Sequence, residues 1–387
     1  MKHLLVFSHA AVLEVNRALF QAMAQTGETK VTMVVPEKWS GDLISDLRFE
    51  HAASDHGITT IPLPVAFSGN GSLFFHRARL APLFEKLDID HVFVDEEPWS
   101  VAAQQIYRSL KKFPLSIYTK QNLKKRVPPP FQMFQNHVFR KSANAFACSD
   151  EVKQVLEWKG YKGLTHYLPH SYDPRAFQPL SVADRAATRA KLGVPRDATV
   201  VAYFGRLTQE KGIDDLLAAM KAAASRPKMR NTHFLWVGNG PMFKEVEAAI
   251  GQGRPGSATL LPAIAHNEVG RALAAADVLV LPSRTTPRWK EQFGRIIIEA
   301  LGCGVPVLGS DSGEIPNLIR QTLGGEIYAE QDAKALLAKL ENLVSDAALL
   351  ARYREHGLAS VRERFTHQAV AALLRGKLFG QTPASSR

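Results

Sequence analysis

Short apolar runs alternate with longer amphipathic segments along the chain. The first two runs cover 2–8 and 29–35, and a helical pattern of apolar positions extends from Val12 to Gln25 between them. Runs of four to eight apolar residues are typical of buried strands, whereas apolar positions three and four apart indicate one face of a helix. A strand, a helix and a second strand in this order predict a parallel sheet with right-handed crossovers.

The alternation continues in two successive series. The first predicts further strands at 58–64, 91–94, 115–119 and 143–147, with a helix over 73–87. The second predicts strands at 199–204, 232–237, 258–261, 278–281 and 305–309, with helices at 213–223, 243–250 and 267–275. Two βα series in tandem predict an α/β protein with two doubly wound, Rossmann-like domains that face one another across a cleft.

The segment between the two series is rich in proline, aspartate, arginine and alanine. We place an interdomain linker at 171–196, around a short helix at 182–192. A first domain then covers 1–170 and a second covers 197–365, which agrees with the size of ordinary domains. The remaining residues, 366–387, are expected to form a helix and a tail that can pack back on the first domain.

The composition is that of a globular protein. The chain has 387 residues, of which 45% are hydrophobic, so two sizeable cores can form. Its only cysteines, Cys148 and Cys303, exclude a disulfide framework and favour a reducing environment. The sequence contains no apolar run near the roughly 20 residues of a transmembrane helix. We therefore expect a cytoplasmic protein, either soluble or peripheral on the inner face of a membrane.

The net charge of +11 is partly explained by one basic stretch, 107–141. It contains nine lysine and arginine residues and no acidic residue, and aromatic side chains such as Phe131 and Phe134 are interspersed. An anionic membrane surface and an anionic acceptor both suit this pattern, and a solvated basic face is the simpler alternative. Nucleic acid is not expected as a partner, because no nucleic-acid-binding motif accompanies the charge.

One segment of the second series combines a polar loop, a glycine and an apolar helix. It runs from Glu291 through Phe293 and Gly294 to Glu299, and the helical pattern breaks at Gly302. A helix that begins near Phe293 presents N–H groups that suit a phosphate. Glu299 lies about 9 Å further along such a helix, roughly the reach from a diphosphate to a ribose. For this segment alone, a surface helix with a polar cap is an equal alternative.

A second loop in the same series also suits an anion. It runs from Gly205 to Gly212, directly after a predicted strand and directly before a predicted helix, and it carries Arg206 and Lys211. An arginine can bind a diphosphate through two N–H groups, and a lysine adds a point charge. Two such loops in one domain predict a pocket for the diphosphate of a nucleotide.

The second series resembles the retaining glycosyltransferases of family 4, the glycosyl transferases group 1, which have the GT-B architecture. The similarity rests on GRLTQEKG (205–212), VGNGP (237–241), AADVLVLPS (275–283), EQFGRIIIEALGCGVPV (291–307) and SDSGEIPNLI (310–319). It is strong over roughly 200–320. The first series shares only its βα pattern and LPHSYDPRAF (168–177), which occupies the position of the family's interdomain hinge.

The resemblance implies transfer of a hexose from a nucleotide diphosphate sugar to a glycan or lipid-linked acceptor, with retained anomeric configuration. It implies catalytic roles for Arg206, Lys211 and Glu291. The donor would be bound by Gly205, Arg206, Lys211, Glu291, Phe293, Gly294, Arg295 and Glu299, with Glu299 on the ribose and Glu291 on the transferred sugar. The leaving phosphate would accept the acceptor proton, so no metal, cofactor or dedicated carboxylate base is expected.

The acceptor side is expected in the first domain, where the sequence departs from the family pattern. His9 lies where many relatives have a glycine-rich loop, and Lys120 lies in a segment where relatives often have a histidine. The acidic run 95–97 follows a predicted strand, and ligands gather at the carboxyl ends of strands. We therefore expect His9, Lys120 and Glu96 on the acceptor side.

Two other functions remain open at this point. The same fold could serve a glycoside phosphorylase or hydrolase, and a basic chain could be a non-catalytic adaptor that binds anionic lipid or nucleic acid. Asp88 and Asp90 have the spacing of a D-x-D metal motif, but an acidic loop before an apolar strand explains them more simply. The sequence contains neither the serine elbow of α/β-hydrolases nor the phosphate loop of NTPases.

Overall fold

The computed structural model describes residues 1–41, 44–49, 55–254 and 256–380. The chain divides into two compact units. The first unit consists of Met1–Pro169 and the final segment from His367 onward, and the second unit consists of His170–Thr366. Each unit is described by itself.

The first unit is built on a parallel sheet. Its strands are β1 (Lys2–Ser8), β2 (Thr29–Pro36), β3 (Lys38–Gly41), β4 (Ile44–Arg48), β5 (Ile58–Leu63), β6 (Val65–Ala66), β7 (Phe75–His76), β8 (His91–Asp95), β9 (Leu115–Thr119), β10 (Ser142–Ala147) and β11 (Leu164–Tyr167). Seven of them pair in the order β11-β10-β9-β8-β1-β2-β5, and all of these pairs are parallel. The short strands β3 and β4 form one antiparallel ribbon, and β6 and β7 form another.

Two helices of the first unit differ from the predictions. The helices are α1 (Ala18–Gln25), α2 (Leu80–Phe84), α3 (Val101–Ser109), α4 (Phe131–Lys141) and α5 (Asp150–Trp158). The pattern from Val12 to Gln25 is helical only from Ala18, because Leu13 is extended and leaves two isolated 3₁₀ turns before α1. The helix predicted over 73–87 is wrong for most of its length. The apolar and basic residues there alternate with the period of a strand, and β7 forms instead.

The second unit is also built on a parallel sheet, and its strands follow the apolar runs closely. They are β12 (Thr199–Phe204), β13 (Thr232–Val237), β14 (Ala258–Leu261), β15 (Val278–Leu281), β16 (Val307–Ser310) and β17 (Gly325–Tyr328), in the order β14-β13-β12-β15-β16-β17. The first four have the predicted bounds, and β16 begins two residues later than predicted. Side chains alternate between two cores, one on each face of the sheet.

Helices cover both faces of this second sheet. They are α6 (Val182–Lys191), α7 (Ile213–Ala223), α8 (Phe243–Gly251), α9 (His266–Ala274), α10 (Arg295–Gly302), α11 (Ile315–Thr322), α12 (Ala333–Ser345) and α13 (Ala347–Arg364). Buried apolar side chains of α7, α8 and α12 belong to one core, and those of α9, α10 and α11 belong to the other. The predicted α/β class is confirmed, because both large sheets are parallel and both carry helices.

The segment 171–196, which we expected to be a linker, lies in the second unit. The guanidinium of Arg189 in α6 is buried and donates to the carbonyl oxygens of Ala275, Arg196 and Ala198 at 2.7 to 3.0 Å. It also pairs with the carboxylate of Asp277 at 2.7 Å. These bonds attach α6 to the start of β12 and β15, so the segment is part of the folded unit.

The last helix of the chain returns to the first unit. It is α14 (His367–Phe379), and it packs against α1. Nε of Arg375 lies 3.0 Å from the carboxylate of Glu28, and the Phe379 ring meets the His91 ring edge-on at 6.3 Å. The predicted tail at 381–387 lies outside the described residues.

The order of the strands determines where polar side chains can gather. In each sheet, successive strands are first added toward one edge and then, from the centre again, toward the other edge. The strand order therefore reverses between β1 and β8 in the first unit and between β12 and β15 in the second. Ligands of such sheets bind outside the carboxyl ends of the strands at this reversal. The loops after these four strands are therefore the places to look for a site.

Candidate functional site

The loop after β12 holds Arg206 on a fixed backbone. The buried hydroxyl of Tyr203 donates to the carbonyl oxygen of Arg206 at 2.6 Å, and the amide of Leu207 donates to the carbonyl of Asn239 at 2.9 Å. The side chain of Arg206 is 47% exposed, and its guanidinium lies 3.8 Å from the carboxylate of Glu210. A long, loosely paired and exposed guanidinium can turn toward an anionic ligand.

Gly212 allows the loop after β12 to touch the loop after β15. Its φ is +70°, and a Cβ at this position would come within 1.7 Å of the carbonyl oxygen of Pro282. Lys211 directly precedes it, at the end of a single 3₁₀ turn that leads into α7. A glycine here therefore places Lys211 beside the residues that follow β15.

Lys211 and Glu291 form an ion pair. The distance between Nζ of Lys211 and Oε2 of Glu291 is 2.6 Å, and the hydroxyl of Ser283 donates to the same oxygen at 2.9 Å. Nζ also lies 4.6 Å from the centre of the Trp289 ring. The two charged side chains are only 16% and 12% exposed. The structure thus joins the lysine of one predicted loop to the first carboxylate of the other.

The loop after β16 supports the backbone of Glu291. The amide of Glu314 donates to the carbonyl oxygen of Glu291 at 3.2 Å. Gly313 has a φ of +57°, and a Cβ there would come within 1.9 Å of the same oxygen. Glu291 is therefore held by contacts to its backbone and to its carboxylate.

Gly294 starts the helix that follows Glu291. It has a φ of +81° and is the N-cap of α10, which begins at Arg295, two residues later than predicted. The Phe293 side chain is buried and packs against the rings of His170 and Phe365 at 5.0 and 6.4 Å. The side chain of Phe293 is therefore part of the core, and a ligand could meet this residue only through its backbone.

Glu299 is a buried carboxyl group on α10. It is 7% exposed, and burial raises its pKa to about 7, against the opposing effect of Arg295. Its charge, added to burial, raises the pKa of the Cys303 thiol on the next turn. Cys303 is thus a protonated, packed thiol. Glu299, in contrast, can hold or release a proton near neutral pH.

Arg284 fixes the loop after β15 to the start of α7. Its guanidinium donates to both carboxylate oxygens of Asp215 at 2.6 and 2.8 Å and to Asp214 at 3.1 Å. Its amide donates to the carbonyl of Glu210 at 2.8 Å. These bonds hold Lys211 and Glu291 at a constant separation. Sequence reasoning missed Arg284, because Asp214 and Asp215 lie in the first turn of a helix, where the helix dipole alone accounts for acidic residues.

The first unit carries a second polar cluster at the ends of β1, β8 and β9. Nδ1 of His9 lies 2.6 Å from Oε2 of Glu96, and the His9 amide donates to the other carboxylate oxygen at 2.8 Å. Nζ of Lys120 lies 2.6 Å from Asp95, which also accepts a hydrogen bond from Ser8 at 2.8 Å. His9, Glu96 and Lys120 thus lie together in one cluster at the strand reversal.

Burial and the contact between His9 and Glu96 shift the pKa values of both groups upward. Burial alone would lower the pKa of His9, but the Glu96 carboxylate outweighs it and raises that pKa above the ordinary 6.5. Burial raises the pKa of Glu96, and His9 opposes this shift. The His9 ring also lies 4.7 Å from the Trp39 ring and 5.6 Å from Phe74. Sequence reasoning missed this aromatic wall, because neither residue is near His9 in the chain.

The D-x-D pair has a structural explanation. The carboxylate of Asp90 accepts hydrogen bonds from Nζ of Lys2 and from the His3 amide, both at 2.7 Å. The carbonyl oxygen of Asp88 lies 3.0 Å from a ring nitrogen of His3. Within 1–41, 44–49, 55–254 and 256–380, no three histidine, cysteine or acidic residues are grouped so that they could hold a metal ion.

Most of the cations in the basic stretch 107–141 are exposed. Its exposed cations are Arg108, Lys111, Lys112, Lys124, Lys125, Arg126, Arg140 and Lys141, whereas Lys120 is partly buried in its ion pair with Asp95. Met133 on α4 is 68% exposed, and Phe131 and Phe134 are half-buried beside it. In the part of the chain that the structure describes, no helix has the length and hydrophobicity needed to cross a membrane.

Comparisons with known proteins agree with this picture. Residues 184–359 match the family described as Glycosyl transferases group 1. The chain is 30% identical, over 196 residues, to the GDP-mannose-dependent monoacylated alpha-(1-6)-phosphatidylinositol monomannoside mannosyltransferase of Corynebacterium glutamicum, covering 49% of this chain and 50% of that protein. It thus spans about half the length of the curated relatives that it matches.

Solved structures show the same fold over the whole chain. A sucrose-phosphate synthase from Thermosynechococcus elongatus superposes with a TM-score of 0.73, at 22% identity, covering 100% of both chains. Anabaena Alr3699/HepE in complex with UDP superposes with a TM-score of 0.74, at 20% identity, covering 98% of this chain and 100% of the other. The fold is therefore GT-B. The match to the model of the glycosyl transferases group 1 family, at residues 184–359, lies within the second unit and covers most of it.

Proposed function

We propose that this chain transfers a hexose from a nucleotide diphosphate sugar to a glycan or lipid-linked acceptor with retention of the anomeric configuration. The observation that carries the proposal is the contact between Lys211 and Glu291 at 2.6 Å. It unites the only two loops from which we predicted a diphosphate site, and it lies within the segment that matches the family.

Arg206 and Lys211 would bind the diphosphate. Arg206 is exposed, and its guanidinium lies 3.8 Å from the carboxylate of Glu210. Such an exposed ion pair contributes little free energy, so the guanidinium can turn from Glu210 to a phosphate at small cost. Lys211 keeps its ammonium half-enclosed between Glu291 and Trp289, where an oxygen atom of a ligand can still approach one of its N–H groups. Positive charge held in a partly buried site stabilises a leaving diphosphate more strongly than the same charge in water.

The two glutamates would bind the rest of the donor. Glu291 already accepts hydrogen bonds from Lys211 and Ser283, and its other oxygen can accept from a hydroxyl of the transferred sugar. Glu299 lies on the helix that follows, and its carboxyl group suits the two hydroxyls of a ribose. The backbone of Gly205 and of residues 293–295 would complete the contacts to phosphate and sugar.

Catalysis would depend on positioning and charge. The bond between the anomeric carbon and the phosphate oxygen breaks, the acceptor oxygen forms the new bond on the same face, and the acceptor proton passes to the leaving phosphate. These bond changes and the proton transfer are balanced without a metal, a cofactor or a carboxylate base. The protein's contribution is to hold both reactants in place and to stabilise the charge on the departing diphosphate.

The first unit would bind the acceptor. His9, Glu96 and Lys120 present ionised and hydrogen-bonding groups beside the rings of Trp39 and Phe74, a combination that suits a sugar with polar edges and apolar faces. The basic surface of 107–141 would also let the protein bind the anionic inner face of a membrane, where a lipid-linked acceptor resides.

The test is a donor screen. The Corynebacterium relative is named for GDP-mannose, and one structural neighbour holds UDP, so GDP-mannose and UDP-glucose are the first donors to try. We expect saturable binding of one of them, which Lys211→Ala and Glu299→Ala abolish, and which the exposed-surface control Lys221→Ala leaves unchanged. Binding that survives both changes at the site would contradict the proposal. Formation of a sugar 1-phosphate from a disaccharide and phosphate would instead indicate a phosphorylase.

A further inference from the structure

One cavity lies wholly within the first unit. It has a volume of about 460 Å³ and lies between the loop before α4, α4 itself and the end of α5. Six of the side chains that line it are polar or aromatic, namely Lys125, Arg126, Gln132, Gln135, Trp158 and Lys159. The volume is within the range of small-molecule sites. The lining residues are distinct from those placed in the donor and acceptor clusters, and Lys125 and Arg126 also belong to the exposed basic surface of 107–141.

The lining of this cavity carries positive charge only. Among the described residues that line it, three are cations and none is acidic. The sequence contains no aspartate or glutamate from 98 to 149, so the nearby strands and helices add no neutralising carboxylate from that range. Lys125 and Arg126 are exposed at its mouth. A concave surface with a single sign of charge concentrates anions.

Two buried polar atoms in the lining have no hydrogen-bond partner among the described residues. One is Oε1 of Gln135, whose residue is 1% exposed, and the other is Nζ of Lys159. The Lys159 ammonium lies 3.9 Å from the centre of the Trp99 ring. Burial lowers the pKa of Lys159 to about 8, and the Glu97 carboxylate opposes this shift, so the group is mostly protonated at neutral pH. Buried polar groups in proteins are normally hydrogen-bonded, and each exception calls for an explanation.

We propose that this cavity binds a phosphorylated saccharide, with the phosphate on the cations and the sugar hydroxyls on the glutamines. Arg126 can bind two phosphate oxygens at once, and Lys125 and Lys159 add point charges. Gln135 and Gln132 offer amide groups that both donate and accept, which is what hydroxyls require. Oε1 of Gln135 can only accept a hydrogen bond, and a sugar hydroxyl can donate one to it while the phosphate remains on the cations.

The phosphorylated saccharide has two possible sources. It can be free in solution, or it can be the headgroup of a lipid such as a phosphorylated inositol lipid, and both present the same phosphate and hydroxyl chemistry. The proposal does not rest on the donor site, because every lining residue lies in the first unit and binding needs no nucleotide sugar. Failure of one proposal therefore leaves the other standing.

The experiment is calorimetric titration of the full chain, without nucleotide sugar, with glucose 6-phosphate, inorganic phosphate and glucose. We expect glucose 6-phosphate to bind at least tenfold more tightly than inorganic phosphate, and glucose to bind more weakly than either. The double change Lys125→Ala with Arg126→Ala should weaken glucose 6-phosphate at least tenfold. Gln135→Leu should weaken glucose 6-phosphate severalfold but leave inorganic phosphate unchanged.

The matched control is the double change Lys111→Ala with Lys112→Ala. It removes the same charge from exposed positions of the same basic stretch that do not line the cavity. Affinity for glucose 6-phosphate should change less than twofold. Equal losses in the two double variants would show a general charge effect and overturn the proposal, as would glucose binding as tightly as glucose 6-phosphate.

A vesicle arm distinguishes the two sources. The wild type should bind to vesicles of phosphatidylcholine with phosphatidylinositol 4-phosphate. The double variant Lys125→Ala, Arg126→Ala should no longer bind to them. Vesicle binding that glucose 6-phosphate displaces would show that both ligands occupy the cavity. Binding of glucose 6-phosphate without binding of the vesicles would assign the cavity to a soluble ligand, and binding of the vesicles without binding of glucose 6-phosphate would assign it to the lipid headgroup. Phosphatidylserine vesicles that bind equally well, with no sensitivity to the double change, would contradict the site.

Discussion

The two strand-end clusters of this protein use the same pair of groups in different ways. Lys211 with Glu291 in the second unit and Lys120 with Asp95 in the first are both lysine–carboxylate pairs at 2.6 Å, and both lie where the strand order of a parallel sheet reverses. The same rule of topology places them. The difference lies in what surrounds each pair.

In the first unit, the cations are matched by acidic neighbours. His9 has Glu96, Lys120 has Asp95, and Glu97 accepts hydrogen bonds from the Lys120 amide and from Thr119. In the second unit, Arg206 remains exposed, with its nearest carboxylate at 3.8 Å. A cluster whose charges are internally compensated suits a neutral ligand rich in hydroxyls, and a cluster with an available guanidinium suits an anion. This difference supports a donor in the second unit and an acceptor in the first.

The largest expected effect comes from breaking the pair in the second unit. Lys211→Ala removes the partly buried charge proposed for the departing diphosphate and leaves Glu291 without its cation. We expect the kcat/KM of sugar transfer to fall by about 10³, in line with the loss of one preorganised stabilising group. Steady-state kinetics with saturating acceptor measure this loss.

The first-unit pair provides the comparison. Lys120→Ala should lower kcat/KM about tenfold through a higher KM for the acceptor. A tenfold change in affinity corresponds to about 1.4 kcal/mol of binding free energy, which is the loss we expect from one binding contact. Lys221→Ala, on the exposed face of α7, controls for charge. If Lys120→Ala proved as damaging as Lys211→Ala and also abolished donor binding, the assignment of the two clusters would be reversed.

The next effect concerns the loop contact that places Lys211. Gly212→Ala puts a Cβ within 1.7 Å of the Pro282 carbonyl oxygen, at a φ of +70°. We expect a loss of about 3 kcal/mol or more in the free energy of unfolding, because both strain and overlap oppose the change. Denaturant titration measures it.

Gly193 is the matched control, because it has nearly the same φ of +67° and no heavy atom within 4 Å of a built Cβ. Gly193→Ala should cost only about 1 kcal/mol, the strain of a left-handed residue. Equal costs at both positions would show that the contact with Pro282 is unimportant.

A somewhat smaller effect is expected from the titration of Glu299. Its pKa is raised from 4.5 to about 7 in the folded protein, so the folded state binds more protons than the unfolded state between these values. The free energy of unfolding should therefore fall as the pH rises from about 4.5 to above 7, by about 3 kcal/mol from this one group.

The measurement is the difference between wild type and Glu299→Gln across that pH range. The amide cannot ionise, so the variant should lose this part of the pH dependence and become relatively more stable at pH 8. Glu268→Gln changes an exposed glutamate and should show no such difference. A pH profile that Glu299→Gln leaves unaltered would place the Glu299 pKa near its ordinary value.

The smallest effect concerns the basic surface of the first unit. Arg140→Ala with Lys141→Ala should weaken binding to phosphatidylserine vesicles by roughly 2 kcal/mol, since each cation near an anionic surface contributes about 1 kcal/mol. Co-sedimentation at two salt concentrations measures it, and added salt should weaken the wild type. Lys221→Ala with Lys228→Ala removes the same charge from the second unit and should have little effect. Equal losses would mean that the two units do not differ in membrane affinity.

Much of the fold could be predicted from the sequence because the central strands of both large sheets are parallel and buried on both faces. Such strands are continuous apolar runs, so β12, β13 and β15 have their predicted bounds. The half-buried edge strand β14 also has its predicted bounds. The β6–β7 ribbon was missed because residues 73–87 contain enough apolar positions to suggest a helix, and only the pairing partner at Val65–Ala66 decides otherwise. The alternation of apolar and basic residues in this segment was the one local signal that favoured a strand.

The candidate site could be predicted in part. Arg206, Lys211, Glu291 and Glu299 were named from charge and helix position within two short loops. Ser283 and Gly313 were not, because their roles appear only when the loops after β15 and β16 are folded, with Ser283 on the carboxylate of Glu291 and Gly313 against its backbone. Lys211 and Glu291 are themselves 80 residues apart in the chain. The order of the strands in the sheet brings two residues so far apart in the chain into contact. The pattern of apolar and polar residues does not specify that order.

The most direct test of the central claim is calorimetric titration of GDP-mannose and UDP-glucose into wild type, Lys211→Ala and Lys120→Ala. If the donor belongs to the second unit, one nucleotide sugar binds the wild type, binds Lys120→Ala within about twofold of the wild-type affinity, and binds Lys211→Ala at least a hundredfold more weakly. A donor affinity that falls with Lys120→Ala and persists in Lys211→Ala would contradict the account.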